Sequence, residues 1–407
     1  MSVVSIFSGS FCREEAVVQH VLDKTGFTLM AEKDVVARAS KLAEMPERKI
    51  EAAFSAKTSI FNRFTHEKER AVAYLRLAMA EILAEDDLVI TGFPAHLIPG
   101  RFSHVLRVCL IADMGFRIKT AREADGWSEK ESRERIHGQD EDRAEWVRTV
   151  LDKTDPWEAS LYDIVVPMDK TGAEEAGRLI AKNAQSAVVA RDKRSVQALN
   201  DFLLAARVET ALAREGHNVG VDVKNGSVEL TINKHALMLS RLEDDLKSIA
   251  QTVSGVESVQ TQVGPGYYQT DIYRKHDFHI PSKVLLVDDE REFVQTLSER
   301  LIMRDMGSAV AYDGESALSM VREEEPEVMI LDLKMPGIDG IEVLRQVKET
   351  RPEIEIIILT GHGSEADRQI CMQLGAFAYL QKPVDIDLLS ETLKKANEKI
   401  RRQSESS

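Results

Sequence analysis

Cysteine is scarce in this chain: Cys12, Cys109 and Cys371 are the only three in 407 residues, and they stand far apart. That excludes a disulfide framework and any cysteine-based metal spacing, and it fits reduced thiols. Long apolar runs are also lacking. None approaches the ~20 residues that a membrane-spanning helix needs, and the short run Ile354 to Leu359 reads as a buried strand. A basic excess is missing as well. Fifty-three Lys and Arg face 68 Asp and Glu, a net charge of −15, which argues against an extended footprint on nucleic-acid phosphates. The first residues, Met1 to Ser5, carry neither the basic region nor the apolar core of an export signal, so a cytoplasmic location is expected. What remains is ordinary globular composition, 43% hydrophobic and 30% charged, over a length that allows two to four domains.

Three units follow from the order of apolar patterns. Residues 1–185 open with a strand, Val3 to Phe7, then a turn at Ser8, Gly9 and Ser10, then a helical pattern from Arg13. Strand-like runs recur at Leu88 to Thr91, Val105 to Ile111 and Tyr162 to Pro167. Strands alternating with helices imply a mostly parallel α/β sheet. Residues 195–264 read as a small α+β unit in the order αββαβ, with Lys224, Asn225 and Gly226 as the turn of a hairpin. Residues 265–282 read as a linker. Residues 283–402 carry five short strands, at Val284 to Val287, Ser308 to Ala311, Val328 to Leu331, Ile354 to Leu359 and Ala376 to Leu380. Helical patterns separate them, which predicts a doubly wound, flavodoxin-like (βα)5 sheet. The chain is thus read as an α/β multidomain protein.

The chemistry concentrates at the strand ends of that last unit, where doubly wound sheets place their sites. Asp288 and Asp289 end its first strand, Asp332 its third and Thr360 its fourth, and Lys382 follows its fifth. An isolated Asp after a strand is usually a helix cap. Five chemically matched side chains on four strands are not explained that way. Gathered carboxylates repel one another unless a cation lies between them, and hard oxygen ligands suit Mg²⁺. Asp289 and Asp332 are expected to ligate it, with Asp288 helping directly or through water. Asp332 would attack a phosphoryl donor, and Lys382 and Thr360 would neutralise the developing charge. Lys382–Pro383 is open to a cis or a trans peptide, trans being commoner. Tyr379 is either a core aromatic or a gate that swings inward.

These stretches resemble the response-regulator receiver family: Val284 to Glu290, Asp332 to Gly340, Leu359 to Gly361 and Tyr379 to Pro383. The resemblance implies that Asp332 is the phosphoacceptor and that a sensor histidine kinase or phosphotransfer protein is its donor. It also implies that Lys334 offers a backbone carbonyl to the metal. Thr360 and Tyr379 would couple phosphorylation to the face of the fourth helix, fifth strand and fifth helix. A homodimer is compatible with this reading, and no direct DNA binding is expected.

The first unit is similar to the cytidylate kinase-like family through Val105 to Asp113, Trp127 to Glu131, Asp140 to Ala144 and Trp157 to Ile164. That resemblance implies a P-loop-kinase-like domain with a nucleotide, ATP or CMP. Ser8, Gly9, Ser10 and Arg13 would lie at the phosphate loop, and Asp140 and Arg143 in the lid. Arg143 is expected either to clamp phosphate or to pair with Asp140 or Glu141. Two departures stand out. The loop lacks the glycine-rich run and lysine of G-x-x-x-x-G-K-[ST], and Phe93 stands where the family usually has arginine. A nucleotide-binding or vestigial module is therefore favoured over an active nucleoside-monophosphate kinase. The middle unit resembles a BON domain through Leu204 to Leu212, Gly226 to Leu230 and Val253 to Val259. His217, His235, His276 and His279 fit no standard metal spacing.

Overall fold

Strands of a parallel sheet are covered on both faces, so they must be apolar at every position and split alternate residues between two layers. Between their ends, the inner C-terminal strands follow this rule. In the computed structural model, which describes residues 2–236, 238–268, 281, 283–304, 306–361 and 363–404, Leu285, Val287, Met329, Leu331, Ile356 and Ile358 enter one core. Their neighbours Val284, Leu286, Val328, Ile330, Ile357 and Leu359 enter the other. The expected linker lies largely outside the described residues, as do His276 and His279.

Contacts divide the chain into two units, Met1–Thr58 with Glu67–Tyr273, and Ser59–His66 with Arg274–Ser407. The first begins with β1 (Val3–Ser8), α1 (Glu14–Thr25), β2 (Thr28–Met30), α2 (Glu32–Ala43) and α3 (Glu47–Glu51). A short helix, α4 (Asn62–Thr65), groups with the second unit. The first unit resumes with α5 (Glu67–Ile82), β3 (Leu88–Thr91), β4 (Val105–Ile111), α6 (Met114–Asp125), α7 (Glu129–Leu151), β5 (Ile164–Pro167) and α8 (Ala173–Ala184). The five strands form a parallel sheet in the order β2-β3-β1-β4-β5. There follow α9 (Lys193–Arg214), β6 (Gly220–Lys224), β7 (Ser227–Ile232), α10 (Leu239–Gln251) and β8 (Ser258–Val263), the expected αββαβ order. The β6–β7 hairpin is antiparallel and β7 pairs β8 in parallel.

One helix serves two cores in this unit. Leu199, Phe202 and Ala206 of α9 bury with the first sheet's helices. Val208 and Leu212, further along, bury against β7 and α10. Arg76 Nη1 meets Glu209 at 2.6 Å, and Arg214 Nε donates to the Tyr74 hydroxyl at 2.8 Å, so α9 is pinned to α5 along its length.

The second unit continues with β9 (Val284–Val287), α11 (Arg291–Ile302), β10 (Ser308–Ala311), α12 (Gly314–Glu324), β11 (Val328–Leu331), α13 (Gly340–Thr350), β12 (Glu355–Thr360), α14 (Glu365–Gln373), β13 (Ala378–Gln381) and α15 (Ile386–Ser404). Its sheet runs β10-β9-β11-β12-β13, all parallel. This is the flavodoxin-like order, with its crevice at the carboxyl ends of β9 and β11.

The opposite edge of that sheet carries a buried acid. Glu355, only 1% exposed, starts β12 and takes Lys399 Nζ at 2.6 Å and Lys348 Nζ at 3.9 Å. Burial pulls the Lys348 ammonium below its ordinary pKa, against the attraction of Glu355. Glu355→Ala would leave two ammoniums without their counter-charge. The expected cost is about 3 kcal/mol, the low end for breaking a buried pair because Lys399 is half exposed. Calorimetry should show the second unit unfolding at lower temperature. An unchanged transition would mean that the pair contributes nothing.

Candidate functional site

The crevice edge gathers three carboxylates by backbone register alone. Leu331 pairs with Val287, so the residues that follow, Asp332 and Asp288, leave adjacent strands side by side. The Asp332 amide donates to the Val287 carbonyl at 2.9 Å and extends the ladder by one residue. Ligand atoms of Asp288, Asp289 and Asp332 all lie within 4.8 Å of one another. Asp288 and Asp332 are buried and Asp289 is exposed, so the cluster opens to solvent on one side.

One ammonium binds this group together. Lys382 Nζ lies 2.7 Å from Asp288 Oδ2, 3.0 Å from Glu290 Oε1 and 3.2 Å from Asp332 Oδ2. It also stands 4.5 Å from the centroid of the Phe293 ring. Its amide donates to the Thr360 carbonyl at 3.0 Å, and the Lys382–Pro383 peptide is cis, the less common of the two expected geometries. Burial alone would lower the Lys382 pKa, but the hydrogen bonds to Asp288 and Glu290 outweigh it and hold the ammonium well above its ordinary value. Burial raises the Asp288 carboxyl, partly offset by Lys382 and the Glu290 N–H. Three carboxylates on one lysine, with Asp289 beside two of them, leave an excess of negative charge. A hard divalent cation is the chemistry that such a donor set accepts.

The Asp332 carboxylate is oriented by its own loop. Its Oδ1 accepts from the Leu333 N–H at 2.7 Å, which fixes the carboxylate plane. Thr360 is fully buried at the end of β12. The Tyr379 ring packs on the core while its buried hydroxyl lies toward Gly363, next to the Thr360 methyl. Lys334 is exposed and follows Asp332 by two residues. Glu290, Phe293, Gly340 and Gly363 were not singled out in the sequence. Glu290 alone had a signal, as the third acid after β9.

The first unit's loop is built differently from a phosphate cradle. The Gly9 N–H is spent on the Leu110 carbonyl at 2.9 Å. The carbonyls of Ser8 and Ser10 point instead at guanidiniums: Arg143 Nε reaches Ser8 at 2.8 Å and Arg117 Nε reaches Ser10 at 2.8 Å. Arg117 also forms a two-pronged pair with Asp140, at 2.8 and 2.7 Å. The expectation for Arg143 and Asp140 therefore needs correction. Arg143 does not pair with Asp140 or Glu141; it bonds the Ser8 and Gln139 carbonyls, and Asp140 belongs to Arg117. Arg13 has left-handed backbone and an exposed side chain beside Glu123 and Phe116. Phe93, in place of the expected cation, stacks on Phe54 at 5.0 Å and meets Trp146 edge-on.

The sequence model of the response regulator receiver domain matches residues 284–394. That of the cytidylate kinase-like family matches residues 3–170. Transcriptional regulatory protein CpxR of Escherichia coli (strain K12) is 41% identical over 102 residues, 25% of this chain and 43% of that protein. Transcriptional regulatory protein GlrR of the same organism is 34% identical over 120 residues, 30% of this chain and 27% of that protein. A response regulator receiver domain protein of Clostridium thermocellum, solved as a crystal structure, is 32% identical. That match covers 30% of this chain and 98% of that one, with a TM-score of 0.29. The chain thus spans less than half the length of these curated relatives. Among the described residues, no helix is long and apolar enough to cross a membrane.

Proposed function

We propose, for a chain whose residues 284–394 are a response-regulator receiver domain, that it works as a phosphorelay response regulator with Asp332 as phosphoacceptor. The observation that carries this is the cluster of Asp288, Asp289 and Asp332 with Lys382 bonded to two of them. Asp288, Asp289, Asp332 and the Lys334 carbonyl would hold Mg²⁺, which when bound supplies positive charge to the transferring phosphoryl oxygens.

The chain's own residues do the rest. An Asp332 carboxylate oxygen attacks phosphorus. The P–N bond of a donor phosphohistidine breaks, and its electron pair leaves with the imidazole. The product is an acyl phosphate. Lys382 exchanges a carboxylate partner for a phosphoryl oxygen, and the Thr360 hydroxyl offers a hydrogen bond to another. Tyr379 then reports the change to the face of α14, β13 and α15, as a biased two-state switch. The donor is a sensor histidine kinase or a phosphotransfer protein, and the setting is the cytoplasm.

In this reading residues 1–185 form a cytidylate kinase-like domain with a degenerate phosphate loop, 195–264 a BON-like domain, 265–282 a linker and 283–402 the receiver. The curated relatives are named transcriptional regulators. Here the net charge of −15 favours signalling through protein contacts over direct DNA contact. Nucleoside-monophosphate kinase activity is disfavoured, because the loop after β1 lacks the phosphate-loop lysine, its Gly9 N–H is spent on the Leu110 carbonyl, and Phe93 stands where the family usually has arginine.

Acetyl phosphate with Mg²⁺ should add a single phosphoryl group to the full chain, read by intact mass. Chelating the metal should cut the adduct at least tenfold. Equal labelling in excess chelator would sink the metal-assisted reading.

A further inference from the structure

Ser8 at the end of β1 and Glu14 and Glu15 at the start of α1 wall a cavity of about 630 Å³, within the range of small-ligand sites. We propose that this cavity binds a small organic cation, an amine or amidine with a compact apolar body, and not a phosphorylated nucleotide. The inference does not rest on the chemistry of Asp332.

The walls define the ligand. Phe7, Val18 and Phe93 supply apolar surface, and Glu14, Glu32 and Arg143 supply charge. Arg143 is the lining group that an anion would seek. Its Nε and Nη1 are taken by the Ser8 and Gln139 carbonyls, and its guanidinium lies 5.5 Å from the Phe93 ring centroid. A phosphate beside it would also meet two carboxylates. Glu32 is already tied at one oxygen, which accepts the Phe93 N–H at 2.9 Å. Glu14 stands in the first turn of α1, beside the Ser8 hydroxyl.

The balance of charge favours a cation. Burial pushes the Glu14 carboxyl up to about 7; Arg143 and the Ser8 hydroxyl draw it down, and Glu32 and Glu15 raise it. Burial likewise raises Glu32, against the Phe93 N–H and Arg143. Both carboxylates are therefore short of positive partners. A proton or a bound cation satisfies them, and an ammonium or amidinium adds directed N–H donors. Lys33 lines the cavity too, and Arg143 is the other cation that faces these acids. The apolar wall excludes a bare hydrated metal ion in favour of a ligand with a hydrocarbon or ring body.

The test is isothermal titration of the full chain at pH 8 with agmatine and with benzamidine, beside CMP and Mg-ATP. At least one amine should bind. Glu14→Gln with Glu32→Gln should weaken it at least tenfold, with circular dichroism unchanged. Should the double variant misfold, Glu14→Gln alone and the wild-type pH series decide. Between pH 8 and pH 6 the ionised fraction of a carboxyl titrating near 7 falls about tenfold, and affinity should fall with it. No binding by either amine, binding that ignores both variant and pH, or tighter binding of CMP or ATP would overturn the proposal.

Discussion

Asp332→Asn is expected to abolish phosphoryl uptake while leaving the receiver folded. The asparagine amide has the shape of the carboxylate. Its oxygen can keep the Leu333 N–H bond now made at 2.7 Å. What it loses is the ionised oxygen that attacks phosphorus, and no neutral amide replaces that. The effect on stability should be small, within about 1 kcal/mol, because two changes oppose each other. Lys382 loses one partner but keeps Asp288 and Glu290, at 2.7 and 3.0 Å. One like charge also leaves a cluster in which carboxylates outnumber the ammonium. Intact mass after acetyl phosphate treatment reads the first effect, and thermal melting reads the second. An adduct of undiminished yield would move the acceptor elsewhere, with exposed Asp289 as the next candidate.

The receiver was legible because its strands are buried on both faces. The expected spans Val284 to Val287, Ser308 to Ala311 and Val328 to Leu331 coincide with β9, β10 and β11. The fourth strand, expected over Ile354 to Leu359 with Thr360 at its end, is β12 at Glu355–Thr360, where the polar Thr360 stays in the ladder opposite Gln381. In the first unit β2 escaped notice because it is three residues long, with Thr28 and Leu29 exposed. The middle region was expected to open at residue 195, yet its first helix, α9, begins at Lys193 under an Asp192 cap that accepts the Ser195 amide at 2.7 Å. Its first turns serve a different core, so the hydrophobic pattern changes face along the helix.

The first unit's site shows the limit more sharply. The missing loop lysine and Phe93 mark a departure from the family's phosphate loop. They could not show what replaced it. Arg117 meets Ser10 across 107 residues and Asp140 across 23. Glu32 meets Phe93 across 61. No local pattern encodes pairs that only the sheet order brings together. A reader of the sequence sees acids and arginines in ordinary helices. Only their convergence shows the Ser8 and Ser10 carbonyls bound by guanidiniums.

Gly340→Ala is expected to be the most damaging single change to the receiver, costing about 4 kcal/mol or more. Nothing in the backbone angle demands glycine, since Gly340 is not among the residues of positive φ. Alanine is also the better helix former by about 1 kcal/mol. The objection is space. A Cβ there would overlap the Asp332 carbonyl oxygen and come within 2.7 Å of Leu333 Cα, and both are backbone atoms that cannot rotate aside. Relief requires one of two movements. Either α13 lifts and withdraws Val343, Leu344 and Val347 from the core they fill, or the segment at Asp332 shifts and carries the acceptor away from Lys382. Both lower phosphoryl uptake, and the first also lowers the melting temperature. Gly337→Ala is the contrast: φ is +80° there but nothing lies within 4 Å, so only backbone strain of about 1–2 kcal/mol is expected. Urea unfolding and adduct formation should therefore rank wild type first, Gly337→Ala next and Gly340→Ala last. A Gly340→Ala protein as stable and as readily phosphorylated as wild type would show that the close approach of α13 to the acceptor loop is not what sets the site.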